Sequence, residues 1–266
     1  MSTLGGKGTL HRAVQVLAEL VDSERDTLGV RELAAALDLP PSSTHRVLNL
    51  LASEGLVTRD GAGSYSLGLP FLRMAWKASA RFSVRDVAEP VLRDLVAEVE
   101  ETALLSVYDR TRRMRMFVVM VEAKHPLRYF ITLNEWLPVH VGATGLAISS
   151  FLSDQERAAL LKGPLPASTP RSLTRPADLE NEFKSVRQRG YALSHGQRLP
   201  GAVSVAAPVW AADGQVLGSV SLTIPEQRFD PASERFLADR VRQAAANVSV
   251  GMGWGPPEEG RAADPT

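Results

Sequence analysis

Leu39-Pro40-Pro41-Ser42-Ser43-Thr44-His45-Arg46-Val47-Leu48-Asn49-Leu50-Leu51, and shortly after it Val57-Thr58-Arg59-Asp60-Gly61-Ala62-Gly63-Ser64-Tyr65-Ser66-Leu67, is the stretch whose reading decides the fold. In the first run Thr44, Val47, Leu48 and Leu51 form one apolar stripe at helical spacing, with Ser42, Arg46, Asn49 and Ser53 on the opposite face. Pro41 suits a first helical position and Gly55 a C-terminal stop. The second run reads as two short strands joined through Asp60-Gly61-Ala62-Gly63, a turn composition that tolerates positive φ. Upstream, Val30, Leu33, Ala34 and Leu37 give a short helix. Helix, tight turn, helix and hairpin in that order predict a winged helix-turn-helix, whose second helix enters the DNA major groove.

A recognition helix needs small polar residues at its N-terminus, so that backbone N–H groups approach a phosphate, and longer donors one turn on that reach base edges. Ser42, Ser43, Arg46 and Asn49 meet both needs, Arg46 for a guanine edge or a phosphate and Asn49 for an adenine edge. Arg59 and Tyr65, on the wing, are expected at the DNA backbone or minor groove. His45 lies between the polar and apolar stripes and suits either a DNA contact or a hydrogen bond to a neighbour. The formal net charge of the 266-residue chain is zero, which does not match a strongly basic nucleic-acid binder. Between Pro40 and Phe82, however, Arg46, Arg59, Arg73, Lys77 and Arg81 outnumber Glu54 and Asp60. So weak a bias suits a protein that multiplies phosphate contacts by dimerising.

Working outward, Leu10, Val14, Leu17 and Leu20 or Val21 predict an amphipathic helix over Thr9 to Asp22, and Pro70 to Phe82 reads as a connecting helix. A further helix carries Val91, Leu92, Leu95, Val96 and Val99, with Pro90 at its start or at a kink. Then the pattern changes. Ala103–Tyr108, Met116–Val121, Leu127–Leu133, Val203–Trp210 and Val216–Ile224 are β-rich runs, the last two joined by an Asp213-Gly214 hairpin turn. Helical segments fall near Thr144–Phe151, Asp154–Leu161, Asp178–Arg189 and Pro231–Val250. The expected class is α+β, with a winged helix-turn-helix at 8–69, a linker helix at 70–82, a sensor domain at 83–252 and a disordered tail at 253–266.

Hydrophobic residues at 44% and charged residues at 23% are ordinary globular values. The absence of cysteine excludes disulfides and thiolate chemistry and agrees with a reducing compartment. No apolar run reaches the roughly 18 residues of a membrane span and no signal peptide is evident, so a cytoplasmic protein without membrane partners is expected. The sequence shows no G-x-S-x-G elbow, P-loop, G-x-G-x-x-G or H-E-x-x-H, and its five histidines are dispersed. Hence no catalytic residue, metal or cofactor is assigned. The competing readings are a hydrolase using Ser204 with His195, and a winged helix serving as a protein adaptor.

These residues resemble the IclR family of bacterial transcription regulators. Leu39 to Leu48 is similar to its recognition-helix motif and Tyr65-Ser66-Leu67-Gly68 to its wing ending. Leu137-Pro138-Val139-His140-Val141-Gly142-Ala143-Thr144-Gly145-Leu146-Ala147, Arg189-Gly190-Tyr191-Ala192 and Pro200 to Val209 are similar to its effector-domain motifs in order and spacing. The resemblance, from about Gly8 to Val250, implies a GAF-like effector-binding domain and dimers that pair into tetramers on palindromic or repeated operator DNA. It further implies repression or activation governed by a small molecule, often an organic or aromatic acid. Leu72 and Trp76 would then be dimer-interface residues, or else core residues of one chain.

By the same resemblance Ala143, Thr144, Gly145, Ser194 or His195, Ser204, Ser221 and Thr223 line the effector pocket. Amides at a helix N-terminus favour an anion there. Three departures stand out: Leu146 where the family usually has lysine, Ser204 where cysteine is frequent, and Ser194-His195-Gly196-Gln197 where an acidic run is common. Replacing a carboxylate with His195 would favour an anionic or hydrogen-bond-accepting ligand, with His195 either its donor or a loop histidine facing solvent. His140, preceding the pocket helix, is expected to be a satisfied buried histidine rather than a direct ligand contact, the alternative its position offers. Met114, Met116, Met120, Phe130 and Trp136 would serve as core or as an apolar wall for an aromatic effector, and Arg110, Arg112, Arg113 and Arg115 as a solvated hairpin tip.

Overall fold

A computed structural model describes residues 8–79 and 84–255. The chain divides into two compact units, Met1–Phe82 and Ser83–Thr266. Residues 80–82 of the expected linker helix and 256–266 of the expected tail lie outside the described residues.

The first unit holds α1 (Thr9–Asp22), α2 (Val30–Ala36), α3 (Pro41–Ser53), β1 (Val57–Arg59), β2 (Tyr65–Leu67) and α4 (Leu69–Ser79). Pro41 opens α3, where its missing N–H costs no helical bond. All four residues of the expected stripe, Thr44, Val47, Leu48 and Leu51, are buried, and the three apolar ones pack with Val16, Leu20, Leu33, Val57 and Tyr65. Strands β1 and β2 pair antiparallel with Arg59 opposite Tyr65. Asp60 holds the wing tip, its Oδ1 accepting from the Ala62 and Ser64 amides at 2.9 and 2.8 Å. The wing closes at Gly68, where any Cβ would collide with the Gly55 carbonyl oxygen, so only glycine fits the end of that motif.

Helix α1 departs from its expected single stripe. Val16 and Leu20 face the core, whereas Leu10, Val14 and Val21 are exposed by 79%, 54% and 52%. The helix is apolar on two faces, and this unit covers one of them.

In the second unit β3 (Thr102–Asp109), β4 (Met114–Val121), β5 (Leu137–Pro138), β6 (Ala192–His195), β7 (Ala202–Trp210) and β8 (Val216–Pro225) form an antiparallel sheet in the order β5-β4-β3-β8-β7-β6. One face packs against α5 (Val84–Val99) and α9 (Glu234–Gly251) through Leu92, Leu95, Val205, Val220, Val241 and Val248. The other packs beneath α6 (Gly142–Ser149) and α8 (Pro176–Arg189), joined through α7 (Asp154–Leu161), with Leu146, Leu179 and Phe183 at its centre. The Asp213-Gly214 turn links β7 to β8, and Asp213 Oδ1 accepts from the Gln215 amide at 3.0 Å.

Of the two places left open for Pro90, the helix start is not the one taken: it lies inside α5. One expectation changes here. Although β5 pairs only with Met114 and Arg115 on the edge of β4, Leu127–Leu133 is irregular rather than a strand. Its anchors are instead Arg228 Nη1 donating to the Leu127 carbonyl at 2.7 Å, the Tyr129 hydroxyl donating to the Pro200 carbonyl at 3.1 Å, and Ile131 buried against Leu104 and Phe117.

Candidate DNA-reading face and effector pocket

With its apolar stripe committed to the core, α3 presents Ser42, His45, Arg46 and Asn49 to solvent, and Ser43 is half-buried beside them. Arg46 makes no ion pair among the described residues. The His45 Nδ1 and Asn49 Nδ2 atoms lie 3.4 Å apart one helical turn along, so the neighbour bond foreseen for His45 forms without burying either residue. Arg59 is exposed on the wing, its guanidinium 5.8 Å from the centre of the Tyr65 ring. Tyr65 itself is a correction. It is buried at 1% exposure, and its backbone pairs with Leu28 through bonds of 2.9 and 2.8 Å. Strand alternation turns its ring into the core, away from any DNA surface.

The second site is built where α6 begins. Gly142, Ala143 and Thr144 meet Ser194 of β6, Ser204 of β7 and Thr223 of β8, with Gln197, Arg198 and Leu199 from the β6–β7 loop, around a narrow space of about 20 Å³. That holds roughly one water. Register explains the convergence: Ser194 pairs with Ser204, and Ser204 with Thr223. The Ser194 hydroxyl accepts from the Ala143 amide at 2.9 Å, while Ser204 donates to the Leu222 carbonyl at 2.7 Å. Ser221 is on the same face of β8 as Thr223, buried with its hydroxyl unpartnered. Gly145 sits one residue further along α6; a Cβ there would lie 2.5 Å from the Val139 carbonyl oxygen and 3.4 Å from Arg115 Nε, so the helix reaches the cation only because this residue is glycine.

Arg115 reaches this pocket from β4, and the sequence reading had placed it on a solvated hairpin tip. It is fully buried. Its Nη2 donates to the Val141 carbonyl at 3.3 Å, and its Nε and Nη1 have no partner. Arg198 is half-buried at the same pocket. Their guanidinium carbons lie 4.9 and 5.2 Å from the centre of one Phe117 ring. Burial, and then the Arg198 charge, pull the Arg115 pKa down to about 9; burial alone takes Arg198 to about 10. Both are therefore cations at neutral pH. No residue lining the pocket is acidic. The true hairpin tip is elsewhere: Arg110 pairs with Glu156 at 3.1 Å and Arg112 with Asp109 at 3.0 Å.

His195 does not join the pocket. It follows Ser194 on β6, so its side chain emerges on the opposite face, exposed, with its ring 5.5 Å from that of Phe229. The same alternation separates it from Ser204, and the serine–histidine pair of the hydrolase reading is not assembled. His140 is buried, its Nε2 3.0 Å from the Pro166 carbonyl oxygen. Burial holds its pKa below the ordinary 6.5, opposed by that bond and helped by the Arg115 charge. The supposed aromatic wall disperses: Phe130 is 89% exposed, Trp136 lies under Arg112, and Met120 packs with Leu104 and Phe117.

The sequence reading missed Arg115, Gln197 and Arg198. One signal for the first was present. Arg115 shares strand parity with Phe117, and large residues of that parity in β4 are buried.

Comparison with known proteins matches this architecture. The profile of the bacterial transcriptional regulator IclR C-terminal domain covers residues 77–250, and that of the IclR helix-turn-helix domain residues 7–61. The chain is 29% identical over 231 residues to the HTH-type transcriptional regulator KipR of Bacillus subtilis, a match spanning 86% of this chain and 92% of that protein. It is 30% identical over 250 residues to the HTH-type transcriptional regulator BhcR of Paracoccus denitrificans, spanning 93% and 88%. Among solved structures, an IclR-type regulator from Silicibacter is similar with a TM-score of 0.82 at 27% identity, covering 95% of this chain and 99% of that one. An IclR homolog from Microbacterium hydrocarbonoxydans, complexed with 4-hydroxybenzoate, shares the fold with a TM-score of 0.77 at 24% identity, covering 92% and 99%. With both domains matched in order and the motifs at the positions just described, the chain belongs to the IclR family of bacterial transcriptional regulators.

Proposed function

We propose that this regulator reads operator DNA with Ser42, Ser43, His45, Arg46 and Asn49 of α3, assisted by Arg59 of the wing, and that an organic acid bound between α6 and the sheet controls that binding. Tyr65 serves as the wing's core anchor. Effector contacts are made by Ala143, Thr144, Ser194, Ser204 and Thr223 together with Arg115 and Arg198, while Gly145 and Ser221 shape the pocket from behind and His195 takes no part. The observation supporting an acid is Arg115: a fully buried guanidinium with two unpartnered nitrogens facing hydroxyls, amides and no carboxylate calls for an anion. The 4-hydroxybenzoate complex of the Microbacterium homolog is in keeping with that class.

The working unit is a homodimer or a pair of dimers in the cytoplasm. Its support is the exposed apolar face of α1 and the 62% exposure of Trp76 on α4, which favours an intermolecular role for that residue over core packing. An effector changes DNA affinity only through different affinity for two conformations.

Selecting genomic fragments with the purified protein at moderate salt tests this reading. A recovered motif with two spaced half-sites, released by an added carboxylic acid, is the expected result. Recovery of only non-specific, salt-sensitive DNA, with or without acids, would overturn it.

A further inference from the structure

The pocket holds two cations and no counter-charge. Buried charges in proteins are ordinarily paired, yet neither Arg115 nor Arg198 makes an ion pair among the described residues. They come from different walls, Arg115 from β4 and Arg198 from the β6–β7 loop, and converge on the Phe117 ring at 4.9 and 5.2 Å. A single carboxylate would neutralise one guanidinium and leave the other. Between the two walls, Ser194 already accepts from the Ala143 amide, so its own proton is free to be donated to a ligand. Ser204 spends its proton on Leu222 and can only accept.

We infer that the effector is a compact dianion, a short-chain dicarboxylate, with one carboxylate on Arg115 and the N-terminal end of α6 and the other on Arg198. The inference rests on the reading of an organic-acid effector and sharpens it. Because the space admits only about one water, a dicarboxylate fits only if the β6–β7 loop is displaced. That loop runs between Gly196 and Gly201, at φ 65° and 71°, and is tied down by the Tyr129 hydroxyl on the Pro200 carbonyl at 3.1 Å and the Ser172 hydroxyl on the Gln197 carbonyl at 2.6 Å. Arg198 travels with it, so the second carboxylate couples occupancy to loop position. A monoacid lacks that grip.

Isothermal titration of the full-length protein with oxalate, malonate and succinate, each against the monocarboxylate of equal carbon number, and with inorganic phosphate, tests the assignment. One dicarboxylate should bind at least about tenfold more tightly than its monocarboxylate partner. Arg198→Gln should collapse that preference, and Arg115→Lys, which keeps the charge but shifts its donors, should weaken mono- and dicarboxylates alike. Equal affinity within each pair, or an Arg198→Gln effect that is the same for both, would discard the dianion while leaving the organic-acid reading in place. Binding of phosphate without any dicarboxylate would replace it with a phosphate site, and binding of no mono- or dicarboxylate and no phosphate would discard both readings. Circular dichroism melts of each variant separate lost binding from lost fold.

Discussion

Arg46 and Arg115 are the same side chain in opposite circumstances. Arg46 stands in water on α3, where an unpaired guanidinium is well solvated, and the DNA phosphates or guanine edge proposed for it would exchange one good environment for another. Arg115 is buried beneath α6 with two of its nitrogens unmet, so the ligand-free protein stores an unfavourable energy that an anion would release. On the proposed reading, the α3 face can be altered with little cost to the fold, whereas the pocket beneath α6 sets function against stability.

The largest expected effect comes from removing that opposition. Arg115→Met should raise the stability of the ligand-free protein, by about 1–4 kcal/mol on the scale of buried charges replaced by apolar side chains, and should abolish any thermal shift with carboxylates. Chemical denaturation in both states measures it; a destabilised Arg115→Met protein would mean that the Val141 bond and the Phe117 contact outweigh the buried charge. Next comes Arg46→Ala, which should weaken specific operator binding by about 1–3 kcal/mol with the melting temperature unchanged. Equal operator affinity in variant and parent would remove Arg46 from the reading face.

Tyr65→Phe removes a buried hydroxyl that has no partner. Stability should change by less than about 1 kcal/mol, and operator affinity not at all; a loss of DNA binding in a gel-shift titration would restore Tyr65 to the interface. The smallest effect concerns His140. Its pKa lies below 6.5 in the folded chain, so the unfolded chain binds the proton more readily. The stability gained by keeping His140 neutral is therefore whole above pH 6.5 and is lost as pH falls below it. His140→Gln should flatten that acid limb of the melting temperature, and an unchanged limb would assign it to other groups.

The fold was largely legible. Thr44, Val47, Leu48 and Leu51 are spaced so that a helix can bury them on one side only, and this placed the polar face of α3 without knowledge of its neighbours. The α1 stripe was harder to read, since apolar residues on two faces carry no label saying which meets the core of the same chain. In the second unit the helices after α6 were visible from periodicity, but Leu127–Leu133 has strand composition and no strand partner, and composition does not report whether an edge is free.

The candidate site was legible only in part. Ala143, Thr144, Ser194, Ser204 and Thr223 were found because they lie at motif positions, and register does bring them together. Tyr65 and His195 failed for a common reason: a strand sends neighbouring residues to opposite faces, and being next to the right residue in sequence means pointing the wrong way. Arg115 failed through a prior that arginines in a cationic run are solvated.

What the sequence determined by itself was the local and periodic: the recognition helix with its polar face, the wing turn, the two-part organisation and the family. These follow from interactions between residues a few positions apart, which any fold containing them must respect. Tertiary structure alone decided which face of each strand was covered and which distant side chains met. The pairing of Arg115 with Arg198 across the Phe117 ring joins residues far apart in the chain, through a sheet order and a loop path that no local pattern specifies. The charge of the pocket, and so the chemistry of what it accepts, is a property of that packing.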